Sequence, residues 1–363
     1  MRLVFLLGGL LCVANVCALD TAPIVRDNVQ PLIDAHEIAG AAVATVANGE
    51  TALHFLGATD LSTKAAPDTN TCYEIGSISK VFTGILLALA LQDPALSLDT
   101  PVQALLPAGV NVPLTNGKAI TLRGLTTHTS GLPRMPSNWK PADPAAPYAD
   151  YHAAQLYDFL NHPPSLAEPG AKNEYSNVGV ALLGHALALR AKLSYPELVR
   201  ERILRPLGMA TADVSTPGSN TPCLVPGYEP QGKKKKLQPV PHWQFDVFDA
   251  AGGIHANIAE MARFLEANLS PPDTPLGKAI ETAQEPLHTV DGQTKLAMNW
   301  HLLTPPEPDR QVVWHNGQTG GFHSFIGFSR AHNVGVVILA NTATSIDNAA
   351  LTILVKLMDA TAK

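Results

Sequence analysis

The chain has 363 residues, of which 46% are hydrophobic and 15% charged, and a formal net charge of -6 at pH 7. A chain of this size can bury a large core and is long enough for two subdomains or one large α/β unit. The mild acidity and the low charged fraction disfavour a nucleic-acid-binding protein and a protein held at membranes by a polybasic patch.

Residues 1–18 have the pattern of a cleaved export signal. Arg2 precedes an apolar run, and small residues stand at Val16 and Ala18, the positions that signal peptidase reads. The run is interrupted by Asn15 and is shorter than the roughly 20 apolar residues of a membrane-spanning helix. We therefore expect a periplasmic or secreted protein with no stable membrane span after cleavage.

The first part of the mature chain combines a hairpin with an apolar helix. A helix is predicted over residues 24–37, and the β-rich runs GAAVATVANGE and ETALHFLGAT are split by Asn48-Gly49, a strong hairpin signal. A helical, nearly all-apolar pattern runs from residue 77 to about residue 91. Residues 92–175 are dense in Pro, Gly, Thr and Asn, which indicates a loop-rich region lining a site.

The second part returns from helices to strands. Helices are predicted at 177–192 and 258–269, and the lysines at 233–236 follow turn residues, which favours a solvated loop or hairpin tip. The strand period then reappears in RQVVWHNG, FHSFIGFSR and VGVVILAN, before a final helix, NAALTILVKLMDA.

Strands at both ends with helices between them predict an α/β (α+β) fold. We expect an antiparallel sheet built from both termini, with residues 19–75 and 285–363 forming the sheet subdomain. Residues 76–284 would form an inserted, mainly helical subdomain, and the active site would lie between the two. Cys72 and Cys223 remain after signal cleavage, and the sequence is compatible with either a disulfide or two buried thiols.

The stretch EIGSISKVFTGILL places Ser77 three residues before Lys80. Residues i and i+3 share a helix face, so the lysine amine can reach the serine hydroxyl, and a desolvated amine with a lowered pKa can activate it as a nucleophile. The alternative is a capping serine with a lysine that extends to the surface. The apolar helix that follows leaves Lys80 little surface to reach.

Two further motifs carry polar groups suited to catalysis. Tyr175 and Asn177 stand just before a helix, where a phenol made more acidic by an ammonium could accept and return the serine proton. A tyrosine packed at a helix start with Asn177 as its cap is the alternative. His315-Asn316-Gly317 ends a strand whose edge can pair with an extended substrate and whose backbone N–H groups can face an oxyanion, unless it is only a glycine-rich hairpin.

These motifs occur in the order of the three motifs of penicillin-recognising serine enzymes, and the chain resembles the class C β-lactamase family and its relatives, the D-alanyl-D-alanine peptidases and β-lactamase-like esterases. The segments LTTHTSGLP, PLGM, AGGIHANIAEMARFL and GVVILAN are also similar to family segments. The resemblance implies a β-lactamase/transpeptidase-like fold, β-lactam or D-alanyl peptide substrates, and no metal or organic cofactor.

The resemblance also implies a role for each motif residue. Ser77 would be the acylated nucleophile, and Lys80 and Tyr175 would handle its proton. Asn177 would hold the amide side chain of the substrate. The backbone N–H groups of Ser77 and Gln318 would form the oxyanion hole. His315 and Gly317 would complete the third motif.

The chain departs from the family at several substrate contacts. His315 replaces the usual lysine and, near its ordinary pKa of about 6.5, would make carboxylate recognition weaker or pH-dependent. Gly252 stands where class C enzymes have a tyrosine, and Ile346 and Ala349 replace an Asn and an Arg. A more open site is implied, and a short-chain carboxylesterase is the alternative function. A metal-dependent hydrolase is a weaker rival, because the thirteen histidines lack His-x-His or His-Glu-x-x-His spacing.

Overall fold

A computed structural model describes residues 19–214, 221–232 and 236–362. The predicted signal at residues 1–18 and the lysines at 233–235 lie outside these described residues. The strands are β1 Gly40–Ala47, β2 Glu50–Gly57, β3 Cys72–Glu74, β4 Asp213–Val214, β5 Gly227–Gln231, β6 Lys236–Val240, β7 Ile254–Asn257, β8 His288–Thr289, β9 Thr294–Leu296, β10 His301–Leu303, β11 Val312–Gln318, β12 His323–Ser329 and β13 Val334–Ala340.

Helices α2 to α9 lie between β2 and β8, α1 precedes β1, and α10 follows β13. They are α1 Ala22–Asp34, α2 Ser79–Ala90, α3 Leu122–Thr126, α4 Ala153–Asn161, α5 Asn177–Ala191, α6 Tyr195–Val199, α7 Asp249–Gly252, α8 Ile258–Leu269, α9 Pro275–Ala283 and α10 Asp347–Thr361. Short 3₁₀ turns lie at Gly76–Ile78, Val102–Leu105 and Pro308–Arg310, and a π-helical turn at Arg200–Leu204.

Eight of the described strands form one antiparallel sheet in the order β2-β1-β13-β12-β11-β10-β9-β8. The β1–β2 hairpin turns at Asn48 and Gly49, whose φ values of 54° and 77° suit a two-residue turn. The prediction of an antiparallel sheet made from both ends of the chain, with helices between them, is confirmed. The proposed division into subdomains near residues 75 and 285 stays a prediction.

The central strands of this sheet are buried on both faces. In β1 alternate residues face opposite sides, so Ala42 and Ala44 join one apolar cluster while Ala41 and Val43 join the other. The smaller cluster contains the apolar faces of α1 and α10, and the larger one contains those of α2, α5 and α8. The sheet is therefore covered by helices on both sides, and its larger face supports the helical region that contains Ser77.

A three-stranded sheet, in the order β3-β7-β4, leads directly into the turn that carries Ser77. At its start Cys72 forms a disulfide with Cys223, with a Cα–Cα distance of 5.1 Å. Of the two alternatives that the sequence left open, a disulfide or two buried thiols, the structure has the disulfide. Within the described residues, none of the helices combines the length and the apolar character needed to cross a membrane.

Candidate active site

Ser77 lies in the 3₁₀ turn Gly76–Ile78, between β3 and the buried helix α2. The turn contacts β11 so closely that glycine is required on both sides. A Cβ on Gly76, which has φ +50°, would lie 2.7 Å from Gln318 N, and one on Gly317 would lie 2.0 Å from Ile75 O and 2.9 Å from Ser77 N. The fold therefore brings Ser77, Gly317 and Gln318 together, although they are about 240 residues apart.

Lys80 is fully buried in the first turn of α2, as the apolar pattern predicts. Its Nζ lies 2.9 Å from Ser77 Oγ and donates to the carbonyl oxygen of Ala251 at 2.6 Å. Burial, aided by the nearby Arg134 cation, holds the pKa of the Lys80 amine well below its usual range. A neutral amine at this position has a lone pair that can accept the hydroxyl proton of Ser77.

The acceptor for Lys80 is held in place by hydrogen bonds from α2 to α7 and to the start of β7. Thr83 Oγ1 donates to the carbonyl oxygen of Ala250 at 2.8 Å, and the N–H of Ile254 donates to Ser79 Oγ at 3.0 Å. Both contacts flank Ala251 in sequence, so its carbonyl group has little freedom to turn away from Lys80. The amine is thereby fixed on the side of Ser77.

Tyr175 completes a cluster with Ser77 and Lys80. Lys80 Nζ lies 4.9 Å and the Arg134 guanidinium carbon 5.2 Å from the centre of its ring. Although part of the ring is exposed, burial raises the pKa of the phenol to about 12, against the opposing effects of a hydrogen bond with Ser77 and of Arg134. The expectation of a more acidic phenol is wrong in direction, because desolvation outweighs the nearby positive charge.

His315 lies on β11 at the edge of this cluster and is only 1% exposed. Its Nδ1 lies 2.5 Å from the carbonyl oxygen of Asn316 and therefore carries the proton, while Nε2 has no hydrogen-bond partner among the described residues. Burial, together with His301 and Lys80, holds the pKa of His315 well below its usual range. The expectation that His315 titrates near pH 6.5 is wrong, because the side chain is desolvated among positive or neutral groups.

The edge of β11 next to Ser77 is open. β12 pairs with β11 from Val313 to Gln318, whereas β10 pairs only with Val312–Trp314 among the described strands. Residues 315–318 therefore present backbone groups on the β10 side, where an extended substrate could pair. The oxyanion hole made from the N–H groups of Ser77 and Gln318 stays a prediction.

A cavity of about 340 Å³ opens above Ser77. Its lining combines aromatic rings, backbone of the nucleophile and β11 segments, and a few polar side chains: Ser77, Arg134, Tyr148, Asn177, Glu229, Trp243, Phe245, Phe248, Ala251, Gly252, Gln318, Thr319, Gly320 and Ala343. Phe245 occupies space beside Gly252, since a Cβ there would lie 3.2 Å from its ring. Ile346 is buried in the core at the start of α10 and offers no polar anchor.

Asn177 is the first residue of α5, and its side chain faces this cavity. The cap of α5 is Ser176 instead, whose Oγ accepts from the N–H of Gly179 at 2.9 Å. Asn177 Oδ1 is buried without a hydrogen-bond partner in the described part of the chain, and Nδ2 contacts Met135 Sδ at 3.6 Å. An amide oxygen left without a partner at a cavity is suited to accept a hydrogen bond from a ligand.

The sequence model of the Beta-lactamase family matches residues 25–357. This chain belongs to the beta-lactamase family. Family membership is consistent with small-molecule β-lactam or peptide substrates and with a hydrolase. Ser77, Asn177 and Gln318 line one cavity, and Lys80 contacts both Ser77 and the Tyr175 ring. The ring of His315 lies 6.4 Å from that of Tyr175.

Relatives within the beta-lactamase family include enzymes of two kinds. A beta-lactamase of Pseudomonas fluorescens is 29% identical over 89% of this chain and 94% of its own length. The D-alanyl-D-alanine-carboxypeptidase/endopeptidase AmpH of Escherichia coli (strain K12) is 24% identical over 83% of this chain and 78% of its own. The crystal structure of a class C beta lactamase from Rhodobacter sphaeroides has a TM-score of 0.77 at 25% identity, over 93% and 99% of the two chains. The predicted β-lactamase/transpeptidase-like fold is confirmed.

Three features of this beta-lactamase family site were not found from the sequence. Arg134 follows the family-like segment LTTHTSGLP directly, and a cation in a Pro- and Gly-rich loop was the signal for it. His128, inside the same segment, has its ring 4.5 Å from that of Tyr175 at an angle of 36°, and it accepts from the N–H of Ser176 at 3.2 Å. The carbonyl oxygen of Ala251 has no sequence signal, because any residue supplies one.

In the described part of the chain, the histidines do not form a metal centre with carboxylates or cysteines. Within residues 19–214, 221–232 and 236–362, no three His, Cys, Asp or Glu side chains are arranged to hold a metal ion. The rings of His128 and His315 lie 4.5 and 6.4 Å from the Tyr175 ring, and His301 lies 5.0 Å from His315. Burial lowers the pKa of all three imidazoles. A reaction without a metal or an organic cofactor stays a prediction.

Proposed function

We propose that this protein is an exported serine hydrolase that forms an acyl-enzyme on Ser77, with β-lactams or D-alanyl peptides as acyl donors. The observation that carries the proposal is the buried Lys80 amine, 2.9 Å from Ser77 Oγ at the floor of an open cavity. A desolvated amine beside a serine hydroxyl is the pair needed to generate a nucleophile at neutral pH.

In the first half-reaction, Ser77 Oγ attacks the carbonyl carbon of the acyl donor while its proton passes to the Lys80 amine. The negative charge on the carbonyl oxygen would be stabilised by the N–H groups of Ser77 and Gln318. As the C–N bond breaks, the Tyr175 hydroxyl donates to the leaving nitrogen and regains a proton from the Lys80 ammonium. The acyl group remains as an ester on Ser77.

In the second half-reaction, water attacks the ester carbonyl and gives its proton to the same Lys80 and Tyr175 pair. Ser77 Oγ recovers a proton as the acid product leaves. The neutral phenol fits a role as a relay and not as a standing phenolate. The pair is therefore restored to its starting protonation state at the end of each turnover.

A short-chain carboxylesterase is a second candidate, favoured by one observation. His315 is buried and neutral, so β11 offers no cation to the carboxylate that β-lactams and D-alanyl peptides carry. Ester cleavage uses the same nucleophile and requires no carboxylate contact. Side-by-side turnover of nitrocefin, a D-Ala-D-Ala peptide and p-nitrophenyl acetate separates the two candidates. The β-lactam or D-alanyl peptide hydrolase requires turnover of nitrocefin or the peptide. Hydrolysis of p-nitrophenyl acetate alone would support the carboxylesterase.

Export to the periplasm or the medium is part of the proposal. The pattern of residues 1–18 and the Cys72–Cys223 disulfide support an oxidising destination. The test is the mass of the protein recovered from the periplasm or the medium of an expressing bacterium. We expect a chain that begins at Leu19, and recovery of the full-length chain from the cytoplasm alone would contradict export.

A further inference from the structure

β11 provides no cation to the site, but another segment of the cavity lining carries a positive charge. Lys80 is fully buried and its amine is occupied by Ser77 and Ala251, so it cannot reach a substrate carboxylate as well. His315 is neutral and its Nδ1 proton is directed to the carbonyl oxygen of Asn316. A carboxylate entering this cavity must therefore find its partner on another segment.

Arg134 is the cation on another segment of the cavity lining. Its side chain is exposed, lines the cavity together with Ser77, and stacks with its guanidinium carbon 5.2 Å from the centre of the Tyr175 ring. The carbonyl oxygen of Arg134 accepts from the N–H of Asn177 at 3.0 Å, which ties its loop to the second motif. The guanidinium is thus held at the rim by backbone and ring contacts and not by a carboxylate.

The guanidinium is available for a ligand. Among the ion pairs of residues 19–214, 221–232 and 236–362, none includes Arg134. Burial lowers the pKa of Lys80 with help from the Arg134 charge, and the same charge opposes the rise that burial causes in the pKa of Tyr175 and Tyr148. A planar guanidinium also matches the two oxygens of a carboxylate.

The other lining residues strengthen an ion pair between Arg134 and a carboxylate. Tyr148, Trp243 and Phe245 form an aromatic wall whose low polarity strengthens an ion pair compared with open solvent. Glu229 on β5 is the other charged residue of the lining. It would repel a carboxylate and so favours an orientation with the anionic end of the substrate toward Arg134.

We propose that Arg134 binds the carboxylate of the acyl donor, and that the preferred substrates of this site are carboxylate-bearing amides, not neutral esters. The inference rests on the proposed acyl transfer at Ser77. Arg134 then acts as a specificity-determining residue, and it takes over the carboxylate contact that the third motif no longer supplies.

The test compares benzylpenicillin with its methyl ester, which differ only in the carboxylate. For the full mature chain, the ratio of kcat/KM values for acid over ester should fall by about 10- to 100-fold in Arg134→Met, as expected for the loss of a charge-assisted hydrogen bond. Arg134→Lys keeps the charge without the planar guanidinium, so this variant should lower the acid-over-ester ratio less than Arg134→Met does. Glu229→Gln removes the opposite charge from the same cavity, and its acid-over-ester ratio should rise because the repulsion of the carboxylate is lost.

Binding in a Ser77→Ala background separates this inference from the proposed function, because no acyl transfer can occur there. Calorimetry should show that benzylpenicillin binds more tightly than its methyl ester, and that adding Arg134→Met removes the difference. That result supports the inference even if the wild-type chain fails to acylate. An acid-over-ester preference that survives Arg134→Met within twofold, or that falls equally in Glu229→Gln, would overturn it.

Discussion

The contact between the nucleophile turn and β11 predicts a large effect of a single methyl group at Gly317. In Gly317→Ala the new Cβ would lie 2.0 Å from Ile75 O, 2.5 Å from Ser324 Oγ and 2.9 Å from Ser77 N. Ordinary contact begins at 3.4 Å, so the turn and the strand must separate by roughly 1 Å. A displacement of about 1 Å at reacting groups costs about 10²-fold in rate.

The measurement is kcat/KM for p-nitrophenyl acetate and nitrocefin, with thermal unfolding to establish that the variant is folded. Gly292→Ala is the control, because it adds the same methyl group in the β8–β9 turn, where nothing lies within 4 Å of the new Cβ. We expect a loss of about 10²-fold in Gly317→Ala and wild-type rates in Gly292→Ala. A folded Gly317→Ala protein that keeps its rate within threefold would refute the geometry proposed for the oxyanion hole.

Three further predictions concern the proton-handling pair and the disulfide. Lys80→Met should lower kcat/KM by about 10²- to 10⁴-fold. Because burial lowers the folded-state pKa of Lys80, the free energy of unfolding of the wild type should rise with pH up to the ordinary lysine pKa of about 10.4. Chemical denaturation should show that this pH dependence is smaller in Lys80→Met. A difference in stability between the two proteins that is constant from pH 7 to 10 would argue against a neutral amine. Tyr175→Phe should lower kcat/KM by about 10- to 100-fold and leave the lower limb of the pH–rate profile in place, since Lys80 and not a phenolate sets that limb; loss of the limb would assign it to Tyr175. Cys72→Ser should lower the free energy of unfolding by about 2–5 kcal/mol, and dithiothreitol should destabilise the wild type but not the variant; equal sensitivity to reductant would contradict a disulfide role.

The features that the sequence predicts well are those set by local chemistry. Asn48-Gly49 supports a hairpin because both residues accept positive φ, whatever the rest of the fold does. The helix after Ser77 is apolar on every side, which requires burial and so predicts that Lys80 is desolvated. The order of the three motifs then indicates which distant segments meet.

The features that the sequence could not predict depend on neighbours contributed by distant segments. The pKa of Tyr175 reflects a balance between burial and the Arg134 charge, and only the packed structure shows that burial dominates. The same holds for His315, whose titration is suppressed by its depth and by His301 and Lys80. The sequence supplied a neighbouring positive charge for Tyr175 and the ordinary pKa for His315, and both expectations failed because neither included the effect of burial.

The central claim is that Ser77 is acylated with the help of Lys80, and intact-protein mass spectrometry tests it most directly. The mature chain is mixed with benzylpenicillin or p-nitrophenyl acetate, quenched in acid within seconds, and digested to locate any adduct. The account predicts one acyl group on the peptide that contains Ser77, none in Ser77→Ala, and slower accumulation in Lys80→Met. An adduct of equal yield in Ser77→Ala, or no adduct on the wild type with either acyl donor, would contradict it.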